Sequence, residues 1–218
     1  MNVDDNVIEF RPSAHFSVDD DGVRDVALVF LGASLVAGVG DPKGQGWVTR
    51  VVGRTQHPDL QLTAYNLGLR GDTSAGVLAR WQSEVPLRWQ GRAERRLVLS
   101  VGANDIVEGV SLARHRLNLA NILDDAASTG VATFVVSPPP SDDAVLNDKL
   151  GVLVEAQADV CARRGVPFVD CFGPLLGHDQ WQSDLAASSV PHHPGQAGYG
   201  LIAWLVLHNG WNEWLGTA

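Results

Sequence analysis

Residues 26–32, VALVFLG, are apolar up to a closing glycine. An unbroken apolar run of this length predicts a strand buried on both faces, as in a parallel sheet. Further strand-like runs follow at 60–68 (LQLTAYNLG), 95–102 (RRLVLSVG), 131–140 (VATFVVSPPP) and 166–170 (VPFVD). Helical spacing of apolar positions predicts helices over 72–85, 111–129 and 146–165, and a short helix is expected from Trp47. The last apolar run, 195–211, reads as a final helix with Pro194 suited to its first turn. Strands alternating with helices predict an α/β fold, a three-layer α/β/α sandwich around a mostly parallel five-stranded sheet. Residues 1–24 are polar and aspartate-rich and read as an N-terminal arm, partly irregular; residues 25–218 read as a single domain.

Composition narrows the function classes. The chain of 218 residues is 45% hydrophobic and 19% charged, with a net charge of −9. That balance suits a globular domain and opposes nucleic-acid binding or docking on an anionic membrane, both of which need a basic face. No apolar stretch reaches the length of a membrane span. The opening MNVDDNVIEF lacks the pattern of a secretory signal, so the expected location is cytoplasmic. Cys161 and Cys171 read as two small buried thiols, with no disulfide framework and no zinc or other metal site. The glycine-rich loop GVGDPKGQG (38–46) lacks the lysine-serine/threonine ending of a P-loop and the glycine spacing of a dinucleotide fingerprint. No nucleotide or other cofactor is expected.

In open α/β sheets, ligands bind beyond the carboxyl ends of the strands. Those ends are chemically rich here. The first carries Ser34 in LGASLVAG, the second Gly71 in NLGLRGDTS, the third Asn104 in VGANDI, and the approach to the last helix carries His192 and His193 in VPHHPGQAGY. Each alone has an ordinary explanation as a turn, cap or loop residue. Together they are the parts of an acyl-transfer site: a hydroxyl nucleophile, a base to take its proton, and amide donors for an oxyanion.

With those residues in place, the chain resembles the SGNH (GDSL-type) hydrolases, a family that includes esterases, lipases, thioesterases and carbohydrate deacetylases. GASL (32–35) is similar to its first block and implies Ser34 as nucleophile, with the Ser34 N–H as an oxyanion donor. NLGLRGDTS resembles the second block and implies Gly71 as a donor, and the intact GAND implies the same for Asn104. VPHHPGQAGY resembles the last block, and its HP and GY register implies His193 as the base, with His192 a neighbour. The resemblance runs from about Val26 to Tyr199 and implies a flavodoxin-like strand order 2-1-3-4-5.

Two positions depart from the family pattern. Ala33 stands where the first block usually has aspartate, and Val190 stands three positions before His193, where the triad acid belongs. In a serine protease, loss of the acid costs about 10⁴-fold in turnover, or about 5.5 kcal/mol. The alternatives are a backbone carbonyl near Val190 or Pro191 accepting from the imidazole, a displaced acid such as Asp184, or a relative that binds ligands without turnover. The expected activity is a serine esterase or acylhydrolase on small acylated substrates, with an O-deacetylase or thioesterase as the alternative. Trp181, in the loop before His193, is a candidate pocket residue. The other expected partner is a second copy of the chain, if the apolar final helix joins a homodimer interface rather than the core.

Overall fold

The computed structural model describes residues 22–218. Most of the expected N-terminal arm, residues 1–21, lies outside the described residues. Along the chain run β1 (Arg24–Gly32), α1 (Ser34–Ala37), α2 (Gly46–Arg54), β2 (Leu60–Gly68), α3 (Ser74–Glu84), α4 (Pro86–Trp89), β3 (Glu94–Ser100) and α5 (Ala103–Val107). Then come α6 (Leu112–Ser128), β4 (Ala132–Val136), α7 (Ala144–Ala162), β5 (Phe168–Val169), α8 (Asp179–Ala187), α9 (Gln196–His208) and α10 (Trp211–Leu215). The five strands form one sheet in the order β2-β1-β3-β4-β5, and every neighbouring pair is parallel.

The apolar run of β1 explains the layering. Successive side chains point to opposite faces of a strand. Leu28 and Phe30 therefore enter a core shared with Val48 and Val51 of α2 and Ile202 and Val206 of α9. Ala27, Val29 and Leu31 enter a second core with Val77 and Trp81 of α3 and Leu119 and Ile122 of α6. Each such large side chain removed from water contributes roughly 1.5–3 kcal/mol. Phe30 also packs edge-on to Trp47, with ring centroids 5.5 Å apart, and stacks on Trp211 at 6.2 Å. The final apolar helix is thus a core element, although Trp204 on it stays exposed.

Helix starts follow local chemistry. Thr73 accepts from the Gly76 N–H, Ser111 from Arg114 and Asp143 from Val145 and Leu146. Several boundaries differ from the sequence reading. Pro194 precedes the first turn of α9 instead of occupying it, because the helix begins at Gln196 after Gly195. The helix expected over 195–211 stops at His208, and a separate α10 follows Gly210, which adopts a left-handed φ of 84°. β4 ends at Val136, before three prolines that cannot donate to a ladder. Residues 179–187, expected as loop, form α8; only Trp181 and Leu185 are buried there, a stripe too narrow to stand out as periodicity.

Candidate active site

β1 delivers Ser34 directly into the first position of α1, at the carboxyl edge of the sheet. The turn has no side-chain cap at Ala33. It is held instead by Asn66 at the end of β2, whose Nδ2 donates to the Val36 carbonyl at 2.7 Å and whose Oδ1 accepts from the Gly68 N–H at 3.0 Å. Ser34 is nearly buried, at 8% exposure.

His193 meets this serine from the far end of the chain. Its Nε2 lies 2.8 Å from Ser34 Oγ, and its Nδ1 lies 2.7 Å from the Pro191 carbonyl oxygen. A carbonyl can only accept, so Nδ1 carries the proton and donates it. Nε2 is then the unprotonated nitrogen and accepts from the serine hydroxyl. The orienting partner differs from two of the expected ones. Asp184, on α8, accepts from the Gly198 N–H at 2.8 Å, at the start of α9, because α8 directs it under that helix and away from the imidazole. The Val190 carbonyl accepts the backbone N–H of His193 at 3.2 Å, not the ring. Turn closure occupies Val190, and the next carbonyl along, Pro191, takes the ring proton.

The glycine-rich loop also has a place in this site. Gly40 sits at a φ of +94°, where a Cβ would stand 2.8 Å from the Pro194 carbonyl and 2.9 Å from His193 Cβ. The loop therefore presses bare backbone against the histidine segment. It is pinned by the Tyr199 hydroxyl donating to the Val39 carbonyl at 2.6 Å, and by Asp41, which accepts from Lys43 N–H, Gly46 N–H and Arg50. Burial pushes the Asp41 carboxyl up, but those donors outweigh it and hold it below the usual carboxylate range.

The two expected amide donors come from neighbouring strand ends. Gly71 occupies a turn after β2 at φ +81°, and its N–H has no hydrogen-bond partner among the described residues. Asn104, in the first turn of α5, donates from Nδ2 to the Asp72 carbonyl at 2.7 Å. A carboxamide nitrogen has two N–H groups, so one remains for another acceptor. Behind Asn104 lies a buried network that the sequence reading missed. Asp105 accepts from the Ser74 N–H at 2.9 Å, from the Ser74 hydroxyl and from His115 Nδ1 at 3.1 Å. Gln157 Nε2 bridges His115 Nε2 at 3.0 Å and the Val101 carbonyl at 2.8 Å. Burial works against ionised Asp105, but bonds from His115 and Ser74 hold its carboxyl below the usual range. Asp105 stood beside Asn104 in GAND, but nothing in the spacing linked it to His115.

Ser34 and His193 open on a cavity of about 410 Å³ whose walls include Leu35, Val107, Leu146, Leu150 and Trp181. Trp181 lies on α8, almost fully buried, and its Nε1 donates to the Pro140 carbonyl at 3.1 Å. His192 also lines this cavity, and its Nδ1 lies 2.6 Å from Asp142 Oδ1. A larger cavity of about 730 Å³, between Trp81, Leu87 and Arg95, contains no serine or cysteine paired with a base. Among the described residues, no group of three or more histidine, cysteine or acidic side chains could hold a metal. No helix there is long and apolar enough to cross a membrane.

The parallel 2-1-3-4-5 sheet thus carries a hydrogen-bonded serine–histidine pair at its carboxyl edge, with Gly71 and Asn104 on the neighbouring turns. The chain belongs to the GDSL-like lipase/acylhydrolase family, whose model matches residues 30–201. It is 29% identical to Esterase TesA of Pseudomonas aeruginosa over 116 residues, a match spanning 52% of this chain and 56% of that protein. The fold is similar to Axe2, an acetylxylan esterase from Geobacillus stearothermophilus, with a TM-score of 0.72, 19% identity, and coverage of 88% of this chain and 97% of that one. It is also similar to esterase EstA from Pseudoalteromonas sp., with a TM-score of 0.64, 18% identity, and coverage of 87% and 98%.

Proposed function

We propose that this protein is a serine carboxylic ester hydrolase that works through an acyl-enzyme on Ser34, without a carboxylate behind its histidine. The 2.8 Å hydrogen bond between Ser34 Oγ and His193 Nε2 carries the reading. Ser34 attacks the ester carbonyl while His193 takes its proton. The oxyanion is met by the N–H groups of Ser34 and Gly71 and the free N–H of Asn104. The tetrahedral intermediate collapses as His193 protonates the leaving alcohol. Water, activated by the same base, then hydrolyses the acyl-enzyme. The Pro191 carbonyl keeps His193 in the tautomer this cycle needs. A carbonyl dipole stabilises imidazolium less than a carboxylate does, so turnover is slower than in a full triad.

The cavity supports a small acyl group with an apolar body. Its walls include Leu35, Val107, Leu146, Leu150 and Trp181, and Ser141 and Asp143 line it as well. The likeness to an acetylxylan esterase is one of fold; the apolar walls suit the acyl side of an ester and do not select its alcohol.

The experiment is hydrolysis of p-nitrophenyl acyl esters of increasing chain length by the purified chain and by Ser34→Ala. We expect saturable turnover in the parent and background rates in the variant. A fluorophosphonate should add once to the parent and not to the variant. Equal rates and no adduct would sink the reading and leave a ligand-binding relative.

A further inference from the structure

The segment Val190–Pro191–His192–His193 is a closed β-turn, since the His193 N–H donates to the Val190 carbonyl at 3.2 Å. Proline at its second position fixes φ near −65° and excludes the primed turn types. His192, at the third position, has a φ of +62° and is the only described non-glycine residue with positive φ. Proline followed by a left-handed residue is a type II turn, and that place normally takes glycine or asparagine. The difference between types I and II is a flip of the central peptide, here Pro191–His192. In type II the Pro191 oxygen faces His193 Nδ1 at 2.7 Å. In type I it would point the other way, and Nδ1 would lose its acceptor.

Resting on the hydrolase reading above, we propose that His192 and Asp142 are positioning residues: they lock this turn in its type II form and so keep the Pro191 carbonyl on His193 where a triad acid is absent. His192 Nδ1 donates to Asp142 Oδ1 at 2.6 Å. Asp142 is itself anchored. The Ser141 N–H donates to Asn147 Oδ1 at 2.7 Å, Asn147 Nδ2 returns a bond to the Ser141 carbonyl at 2.9 Å, and the Ser141 hydroxyl donates to Asp142 Oδ1 at 3.0 Å. The bond to His192, with smaller help from Ser141, holds the Asp142 carboxyl below the usual range despite some burial, so it stays an acceptor through neutral pH. The start of α7 thereby fixes a turn that its own residue type disfavours.

The test compares the parent chain with His192→Val, His192→Gly and Asp142→Ala. A β-branched residue resists left-handed φ, whereas glycine adopts it freely. Expected is a fall in kcat of about 10- to 100-fold for His192→Val with KM within about threefold, short of the roughly 10⁴-fold lost when a triad histidine takes the wrong tautomer. His192→Gly should lose clearly less kcat than His192→Val, because glycine adopts the left-handed φ without a clamp. The second readout is ¹⁵N NMR of the imidazole rings, which needs no activity. His193 should carry its proton on Nδ1 in the parent and His192→Gly, and a tautomer mixture should appear in His192→Val and Asp142→Ala. Should His192→Val not fold, Asp142→Ala decides. An unchanged His193 spectrum in His192→Val and Asp142→Ala, or a fall in kcat of His192→Val smaller than about tenfold, overturns the proposal. A parent with no Ser34-dependent turnover but the expected spectra would instead leave the clamp standing and overturn the hydrolase reading.

Discussion

Asn104 donates to the Asp72 carbonyl across 2.7 Å, which ties the first turn of α5 to the turn that carries Gly71. The two expected oxyanion donors are thus set by one another and not only by their own strands. Asn104→Ala should lower kcat by about 10²–10³-fold, the usual loss for one such donor. Fluorophosphonate labelling of Ser34 should persist more slowly, and a fall in kcat below about threefold would remove Asn104 from the oxyanion site.

Gly40→Ala should damage both stability and activity. The φ of +94° is strained for any Cβ, and that Cβ would sit 2.8 Å from the Pro194 carbonyl. Backbone has no rotamer with which to yield, so a cost of at least about 1–2 kcal/mol is expected. Thermal unfolding should register it, and kcat should fall further than stability explains as the His193 segment moves. A variant with unchanged melting and kcat would contradict the contact.

Asp184 offers a sharp contrast with a triad acid. Its carboxylate accepts from Gly198 N–H, and an amide oxygen can do the same. Asp184→Asn should therefore keep kcat within about threefold, whereas the same change in a triad costs about 10⁴-fold. A loss near that size would return Asp184 to the site as its acid.

Acid sensitivity follows from Asp41 and Asp105, both held below the usual carboxylate range. A depressed folded pKa contributes stability above the unfolded value, near 3.9, and loses it as pH falls through the folded one. Melting temperature should therefore be flat from neutral pH to about 5 and drop below about 4. Asp41→Asn should melt lower at neutral pH and show a shallower acid slope. An identical slope in that variant would show that Asp41 is not linked to folding.

Most of the architecture was legible in the chain. β1 and β2 are unbroken or alternating apolar runs closed by glycine, and patterns of that kind survive tertiary context. α8 was not legible, since two buried residues in nine make no periodic signal. At the candidate site, Ser34, Gly71, Asn104 and His193 could be singled out because each follows a strand or precedes a helix in a known order. His115 and Gln157 were not, because side chains 42 positions apart meet only through the packing of α6 against α7. The Pro191 carbonyl was visible only as one of several candidates. Which carbonyl faces a ring depends on turn type, and His192 is not a residue from which a left-handed φ would be read.

The carboxamide of Asn66 has a consequence for how such proteins are recognised. It braces the serine turn from β2, at Val36 and Gly68, so the turn does not depend on what precedes the serine. Ala33 is then a tolerable occupant. A search keyed to an aspartate before the serine would pass over this chain, whereas one keyed to an asparagine two residues before the glycine that ends the second strand would find it.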